Sequence, residues 1–256
     1  MSKSKEIVLI TGVSGLVGKV IAESLLLGGY KVIGIFKSDS SRKNLKELES
    51  QYKDDFINFQ CDITSSTEIH NLINKSINDK GLSPDILINN ARSIDNLSVD
   101  KKGRPIGKNF VNEFKLSIVG HYEIAMALVD SKSSNLKRII NIGSIYGSIV
   151  PKSKIYEDFN VDSPIHYGVV KSSMVHLTKE LAVRLAKLNI LVNCVSYGGI
   201  KGRSDHNFVK RYELICPLGK MLDEEDIFPP IEFFLSDNVK NITGQNLIID
   251  GGFSLQ

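Results

Sequence analysis

The stretch EIVLITGVSGLVGKVIAESLLLGG, residues 6–29, decides the fold. Its first half is an apolar run of strand length. Its second half places Val17, Val20, Ile21, Ser24 and Leu25 at one-face helical spacing and stops at Gly28-Gly29. Between the halves stand Gly12, Gly15 and Gly18. A strand that turns through glycine into a helix brings backbone N–H groups and the positive helix end together, which suits a pyrophosphate. Gly12, Ser14, Gly15, Leu16 and Gly18 are therefore the candidate dinucleotide contacts of this turn. The spacing is not GxGxxG, and 20 glycines make such trios common, so the strand-turn-helix context carries the inference.

Outward from this unit, strand-length apolar runs recur at KVIGIF, INFQC, ILIN, RIINI, ILVNCVS and NLIID, mostly separated by helical patterns. Strand and helix in alternation imply crossover connections, hence an α/β fold: a doubly wound Rossmann-type parallel sheet with helices on both faces. At 256 residues, with no repeat or linker-like shift, the chain is expected to form a single domain over 1–256. Hydrophobic residues at 42% and charged residues at 24% exclude a disordered chain. A net charge of +3, with its basic residues scattered, gives no reason to expect nucleic acid or membrane as partner. Cys61, Cys194 and Cys216 read as buried thiols rather than a disulfide or zinc framework, and the five histidines form no metal spacing. The lead before the first strand has no apolar segment, so a cytoplasmic location is expected.

The second strand ends Phe36-Lys37-Ser38 with Arg42 soon after, where an NAD site would place an acid. Lys37 and Arg42 suit a 2′-phosphate, so NADP(H) is expected to be preferred over NAD(H), with Asp39 the complication. Further on, Tyr167 and Lys171 lie one turn apart at the start of a long amphipathic helix. The chain holds a second Tyr-x-x-x-Lys, Tyr197 to Lys201, but that copy follows a strand and contains two glycines, and is read as a chance repeat. The first copy has company: the strand from Arg138 delivers Gly143-Ser144 at its carboxyl end, the edge where open parallel sheets bind ligands. Two polar loops, 96–108 and 152–163, are candidate substrate elements.

On TGVSGLVG, CDI at 61–63, NNA at 89–91, NIGSIYG at 141–147, YGVVK at 167–171 and TGQNLIIDGG at 243–252, the sequence resembles the short-chain dehydrogenase/reductase family. It is most similar to bacterial members of flagellin modification and surface-polysaccharide sugar synthesis, in its glycine spacing, the KIYEDF insert and the PLGKMLDEEDI stretch. The resemblance implies Tyr167 as general acid/base, Lys171 as the cation that lowers its pKa and holds the nicotinamide ribose, and Ser144 as the hydroxyl that polarises the substrate oxygen. It implies Asp62 and Ile63 at the adenine, Asn89 and Ala91 along the adenine ribose, and Ile200 at the carboxamide. Ser117 stands where the family commonly has the Asn of a proton path, so Ser117 is carried as a catalytic candidate in its place. Arg92 replaces the last glycine of NNAG and is read as a solvated residue or as a contact to an anionic substrate, and Tyr197-Gly198 replaces Pro-Gly.

The activity implied is interconversion of a secondary alcohol and a ketone on a small molecule, possibly a nucleotide-linked sugar, by a homotetramer. A 3-oxoacyl-carrier-protein reductase is the rival with the same fold and triad. A dinucleotide-binding sensor without turnover is the rival from another class, motivated by Ser117 and Tyr197 and opposed by the retained Ser144, Tyr167 and Lys171.

Overall fold

The computed structural model describes residues 5–202 and 204–256. Seven strands form one parallel sheet: β1 (Ile7–Thr11), β2 (Lys31–Phe36), β3 (Phe56–Gln60), β4 (Ile86–Asn89), β5 (Arg138–Ser144), β6 (Leu191–Tyr197) and β7 (Asn246–Ile249), in the order β3-β2-β1-β4-β5-β6-β7. The order reverses between β1 and β4, and that switch point opens a crevice at the carboxyl ends of the strands. Both sheet faces are covered. Val8 and Ile10 of β1 face one core with Ile21 and Leu25, whereas Leu9 between them faces the other with Ile124 and Leu181. This alternation explains the unbroken apolar strands, because a parallel sheet buries both sides.

Helix α1 (Leu16–Leu27) buries Gly18, Ile21, Ala22, Leu25 and Leu26. The stripe is thus rotated from the sequence expectation: Val17, Val20 and Ser24 lie at its half-buried margin. Small Gly18 and Ala22 face the sheet because α1 approaches it closely. A Cβ on Gly18 would stand 2.3 Å from the Gly12 carbonyl oxygen and 2.8 Å from Asn90 Nδ2.

Helices α2 (Ser66–Asn71), α3 (Asn109–Phe114) and α4 (His121–Val129) follow, the last two joined by a wide π-helical stretch at Lys115–Gly120. Gly120 is needed there, since a Cβ would lie 2.4 Å from the Ile63 carbonyl oxygen. The long helix α5 (Ile165–Leu185) buries Val170, Met174, Leu181 and Leu185. Helices α6 (His206–Ile215) and α7 (Pro229–Leu235) complete the fold. The three cysteines are free and buried, and burial pushes the Cys61 thiol up to about 12. No helix among the described residues is long and apolar enough to cross a membrane.

Candidate active site

The crevice at the switch point has a volume of about 610 Å³, within the range of small-molecule and cofactor sites. Its floor is the β1–α1 turn. Gly12 adopts φ +68°, and a Cβ there would meet the Ala91 Cα at 2.6 Å, so Gly12 and Gly18 are glycines for the protein's own packing. Gly15 differs: a Cβ would touch only the Gly12 carbonyl oxygen, at an ordinary 3.5 Å. Its bare backbone caps the first turn of α1 and faces the crevice, which is the space a pyrophosphate would fill.

Thr11 holds the two sides of the switch point together. Its hydroxyl oxygen accepts the N–H groups of Asn90 at 2.9 Å and Ala91 at 3.0 Å. Its one proton is then left for His121 Nε2 at 3.3 Å. That assigns the His121 proton to Nδ1, which donates to the Ser117 carbonyl at 2.9 Å. Burial holds the His121 pKa at about 3, so the ring stays neutral.

Ser14, Leu16, Lys37, Asp62, Ile63, Ala91 and Ile200 all border the crevice. Two expected contacts do not. Arg42 lies outside it, with Nε donating to Glu49 Oε1 at 3.1 Å, and the cleft is lined instead by Ser38 and Ser41. Asn89 is a buried last residue of β4 whose Nδ2 donates to Asn141 Oδ1 at 2.9 Å. Its neighbour Asn90 borders the crevice and braces the glycine turn, donating to the carbonyls of Thr11 at 3.0 Å and Gly12 at 3.1 Å. Successive strand residues face opposite ways, and the pair Asn-Asn does not reveal its phase.

At the far end of the crevice Ser144, Tyr167 and Lys171 converge. Ser144 ends β5; its Oγ accepts the Tyr146 N–H at 3.3 Å and its hydroxyl bonds the Tyr167 phenol. Lys171 is buried on α5, one turn beyond Tyr167. It donates to the Ile142 carbonyl at 2.9 Å and lies 5.9 Å from the centre of the Tyr167 ring. Burial by itself would raise the Tyr167 pKa, but Lys171, Arg92 and a hydrogen bond with Ser144 outweigh it, and the phenol ends below its usual value. Three other tyrosines, half-buried Tyr146 and buried Tyr197 and Tyr212, are pushed upward by desolvation. A phenol with a depressed pKa beside a serine hydroxyl is suited to exchange a proton with a substrate oxygen.

Tyr197, the other tyrosine of the repeated spacing, ends β6, and its phenol donates to the Ile227 carbonyl. Ser117 does not reach the crevice: its Oγ donates to the buried Glu113 carboxylate at 3.0 Å. Glu113 and His121 are partners that the sequence reading did not single out.

The loops flanking the catalytic end are packed. In 152–163, Ile155 is fully buried, Arg211 Nε donates to its carbonyl at 2.7 Å, and Tyr156 bonds Tyr146 hydroxyl to hydroxyl at 2.6 Å. The 96–108 loop meets it: a Cβ on Gly103 would stand 2.3 Å from the Asn160 carbonyl oxygen, and the His166 ring bonds the Asn96 carbonyl at 2.7 Å.

A seven-stranded doubly wound sheet with a glycine turn at its switch point and a Ser-Tyr-Lys cluster at its carboxyl edge defines a dinucleotide-dependent oxidoreductase. Residues 12–254 match the family described as Enoyl-(Acyl carrier protein) reductase, and the chain belongs to the short-chain dehydrogenase/reductase family. It is 28% identical over 261 residues to the post-translational flagellin modification protein A of Campylobacter coli, covering 98% of each. It is 32% identical over 249 residues to the 3-oxoacyl-[acyl-carrier-protein] reductase FabG of Rickettsia typhi, covering 95% of each. Among solved structures it superposes on a short-chain dehydrogenase from Leptospira borgpetersenii with bound NAD+, at TM-score 0.82 and 31% identity, covering 98% of this chain and 93% of that one. ElxO with NADP bound matches at TM-score 0.81 and 26% identity, covering 99% of this chain and 100% of that one.

Proposed function

We propose that this NAD(P)-dependent oxidoreductase interconverts a secondary alcohol and a ketone on a polar, sugar-type substrate, with Tyr167, Ser144 and Lys171 as its machinery. The observation that carries the reading is the Tyr167 phenol, held in the crevice between the Lys171 ammonium and the Ser144 hydroxyl, with its pKa depressed. The bound dinucleotide supplies the hydride acceptor or donor. Ser144 holds the substrate oxygen by turning its hydroxyl proton from the phenol to it. Tyr167 gives that oxygen a proton in reduction and takes it in oxidation. Lys171 lines the crevice with two ammonium protons beyond the one given to the Ile142 carbonyl; it would orient the ribose, and it keeps the phenol acidic.

Ser117 enters this scheme as a positioning residue, because its hydroxyl is committed to Glu113 and its carbonyl to His121. Gly12, Ser14, Gly15, Leu16 and Gly18 form the pyrophosphate berth, Asp62, Ile63 and Ala91 the adenosine side, and Ile200 the carboxamide side. Preference for NADP(H) rests on Lys37, Ser38 and Ser41 at the end of β2, where Asp39 does not line the cleft; Lys37 pairs with the cleft carboxylate Asp62 at 3.0 Å and would reach a phosphate by exchange. A sugar-type substrate, possibly nucleotide-linked, is supported by the docked 152–163 loop, whose Tyr156 bonds Tyr146 and whose Glu157 pairs with Arg211 of α6. An acyl-carrier substrate is the second reading, favoured by the FabG relatives. A cytoplasmic homotetramer is supported by three free thiols and by exposed Ile165, Val169 and Val183 along α5.

Replacing the phenol oxygen alone tests the assignment: Tyr167→Phe is expected to abolish turnover of ketones while the dinucleotide dissociation constant changes less than about threefold. A Phe variant that retains most of its rate overturns it.

A further inference from the structure

We propose that Arg92 makes this site selective for a substrate that carries an anionic group, a carboxylate or a phosphate, close to the reacting carbon. The inference rests on the oxidoreductase reading above and narrows its substrate class.

The position follows the β4 strand end and is held by the Thr11 contact to Ala91. The Arg92 guanidinium carbon stands 5.3 Å from the centre of the Tyr167 ring, at the substrate end of the crevice. Arg92 is exposed and borders the cleft, and no carboxylate among the described residues lies within 4.0 Å of it. The other cleft cations are engaged: Lys37 with Asp62 at 3.0 Å, Lys201 with Asp223 at 3.2 Å, and Lys171 buried against the Ile142 carbonyl at 2.9 Å. Among the described lining residues these four cations face one carboxylate, Asp62. Pyrophosphate binding at the β1–α1 turn answers charge at the opposite end and leaves Arg92 unmatched.

Guanidinium keeps its charge at every working pH and presents a planar fork that matches a carboxylate or phosphate. A substrate oxygen held between Ser144 and Tyr167 would bring its own substituents to the end of the crevice where this fork lies, 5.3 Å from the Tyr167 ring centre. A neutral substrate would leave the fork facing solvent.

Arg92 also acts on the phenol. The charged and titratable groups facing Tyr167 are Lys171 on its own helix, Arg92 after β4, Tyr146 after β5, Tyr156 on the 152–163 loop and Glu113 on α3. An anion seated on Arg92 cancels part of that cation's pull on Tyr167, which gives a readout independent of turnover.

The test uses the full-length protein saturated with reduced dinucleotide and two probe pairs: acetoacetate against methyl acetoacetate, and dihydroxyacetone phosphate against dihydroxyacetone. In the wild type the charged member is expected to have about tenfold or higher kcat/KM, in the carboxylate pair or the phosphate pair according to which anion the site takes. Arg92→Gln is expected to lower that charged-to-neutral ratio by about tenfold or more, and Arg92→Lys to restore part of it. A ratio that Arg92→Gln leaves unchanged overturns the proposal.

Should none of the probes turn over, the Tyr167 phenolate absorbance, taken as wild type minus Tyr167→Phe, decides. Inorganic phosphate is expected to raise its midpoint by roughly half a pH unit in the wild type and not in Arg92→Gln. No shift in the wild type sinks the proposal. Failure to bind dinucleotide at all would instead count against the oxidoreductase reading, so the two failures are distinct.

Discussion

Lys171→Met removes the ammonium and keeps the length of the side chain. The ammonium lies 5.9 Å from the centre of the Tyr167 ring in a buried position. At an effective dielectric constant of about 20, a charge pair at that distance is worth about 3 kcal/mol, or roughly two pH units on the phenol. The sign follows from the direction of the reaction. Alcohol oxidation needs the phenolate, so kcat/KM rises with pH through the Tyr167 pKa. Removing the cation moves that limb upward by roughly two units, and well below both midpoints the rate falls about a hundredfold. The assay is kcat/KM against pH in the oxidative direction, with the dinucleotide saturating so that lost ribose contacts do not intrude. The phenolate absorbance, wild type minus Tyr167→Phe, gives the same midpoint without turnover. A limb that stays in place in Lys171→Met, or a loss equal at every pH, refutes the electrostatic role of Lys171.

Gly18→Ala puts a methyl 2.3 Å from the Gly12 carbonyl oxygen and is expected to cost about 2–3 kcal/mol, lowering Tm by roughly 5–10 °C in a calorimetric scan. Gly15→Ala meets only a 3.5 Å contact, so Tm should move by less than about 2 °C while dinucleotide affinity, followed by titration, falls about tenfold. Lys37→Ala is expected to lower the NADP(H)-to-NAD(H) affinity ratio by about tenfold; tighter NAD(H) binding by the wild type speaks against the assigned preference. Replacing 157–162 by a short Gly-Ser turn retains buried Ile155 and half-buried Tyr156, and is expected to raise KM for the substrate about fivefold or more with dinucleotide affinity unchanged.

All seven strands were legible because a doubly covered parallel sheet writes each strand as a continuous apolar run. The place of Ser144, Tyr167 and Lys171 was legible too, since a strand end and the first turn of a helix fix a side chain's direction. What escaped the sequence depends on pairing between distant or ambiguous neighbours. Arg42 is taken by Glu49, an acid seven residues on that the turn brings round. Asn89 and Asn90 differ only in the phase of β4. The α1 stripe is rotated because two small residues, Gly18 and Ala22, face the sheet where apolar size pointed to Val17 and Val20. The docking of Asn160 against Gly103 spans loops far apart in the chain, and neither carries a local sign of the other.

The Thr11 hydroxyl accounts for all of its hydrogen-bonding capacity with protein partners: two backbone N–H groups received and one ring nitrogen served. At this point the two sides of the crevice are therefore tied to each other by groups of the chain alone. An oxidoreductase must release its spent cofactor in every cycle. A tie that borrows no atom from the cofactor can hold through each such exchange.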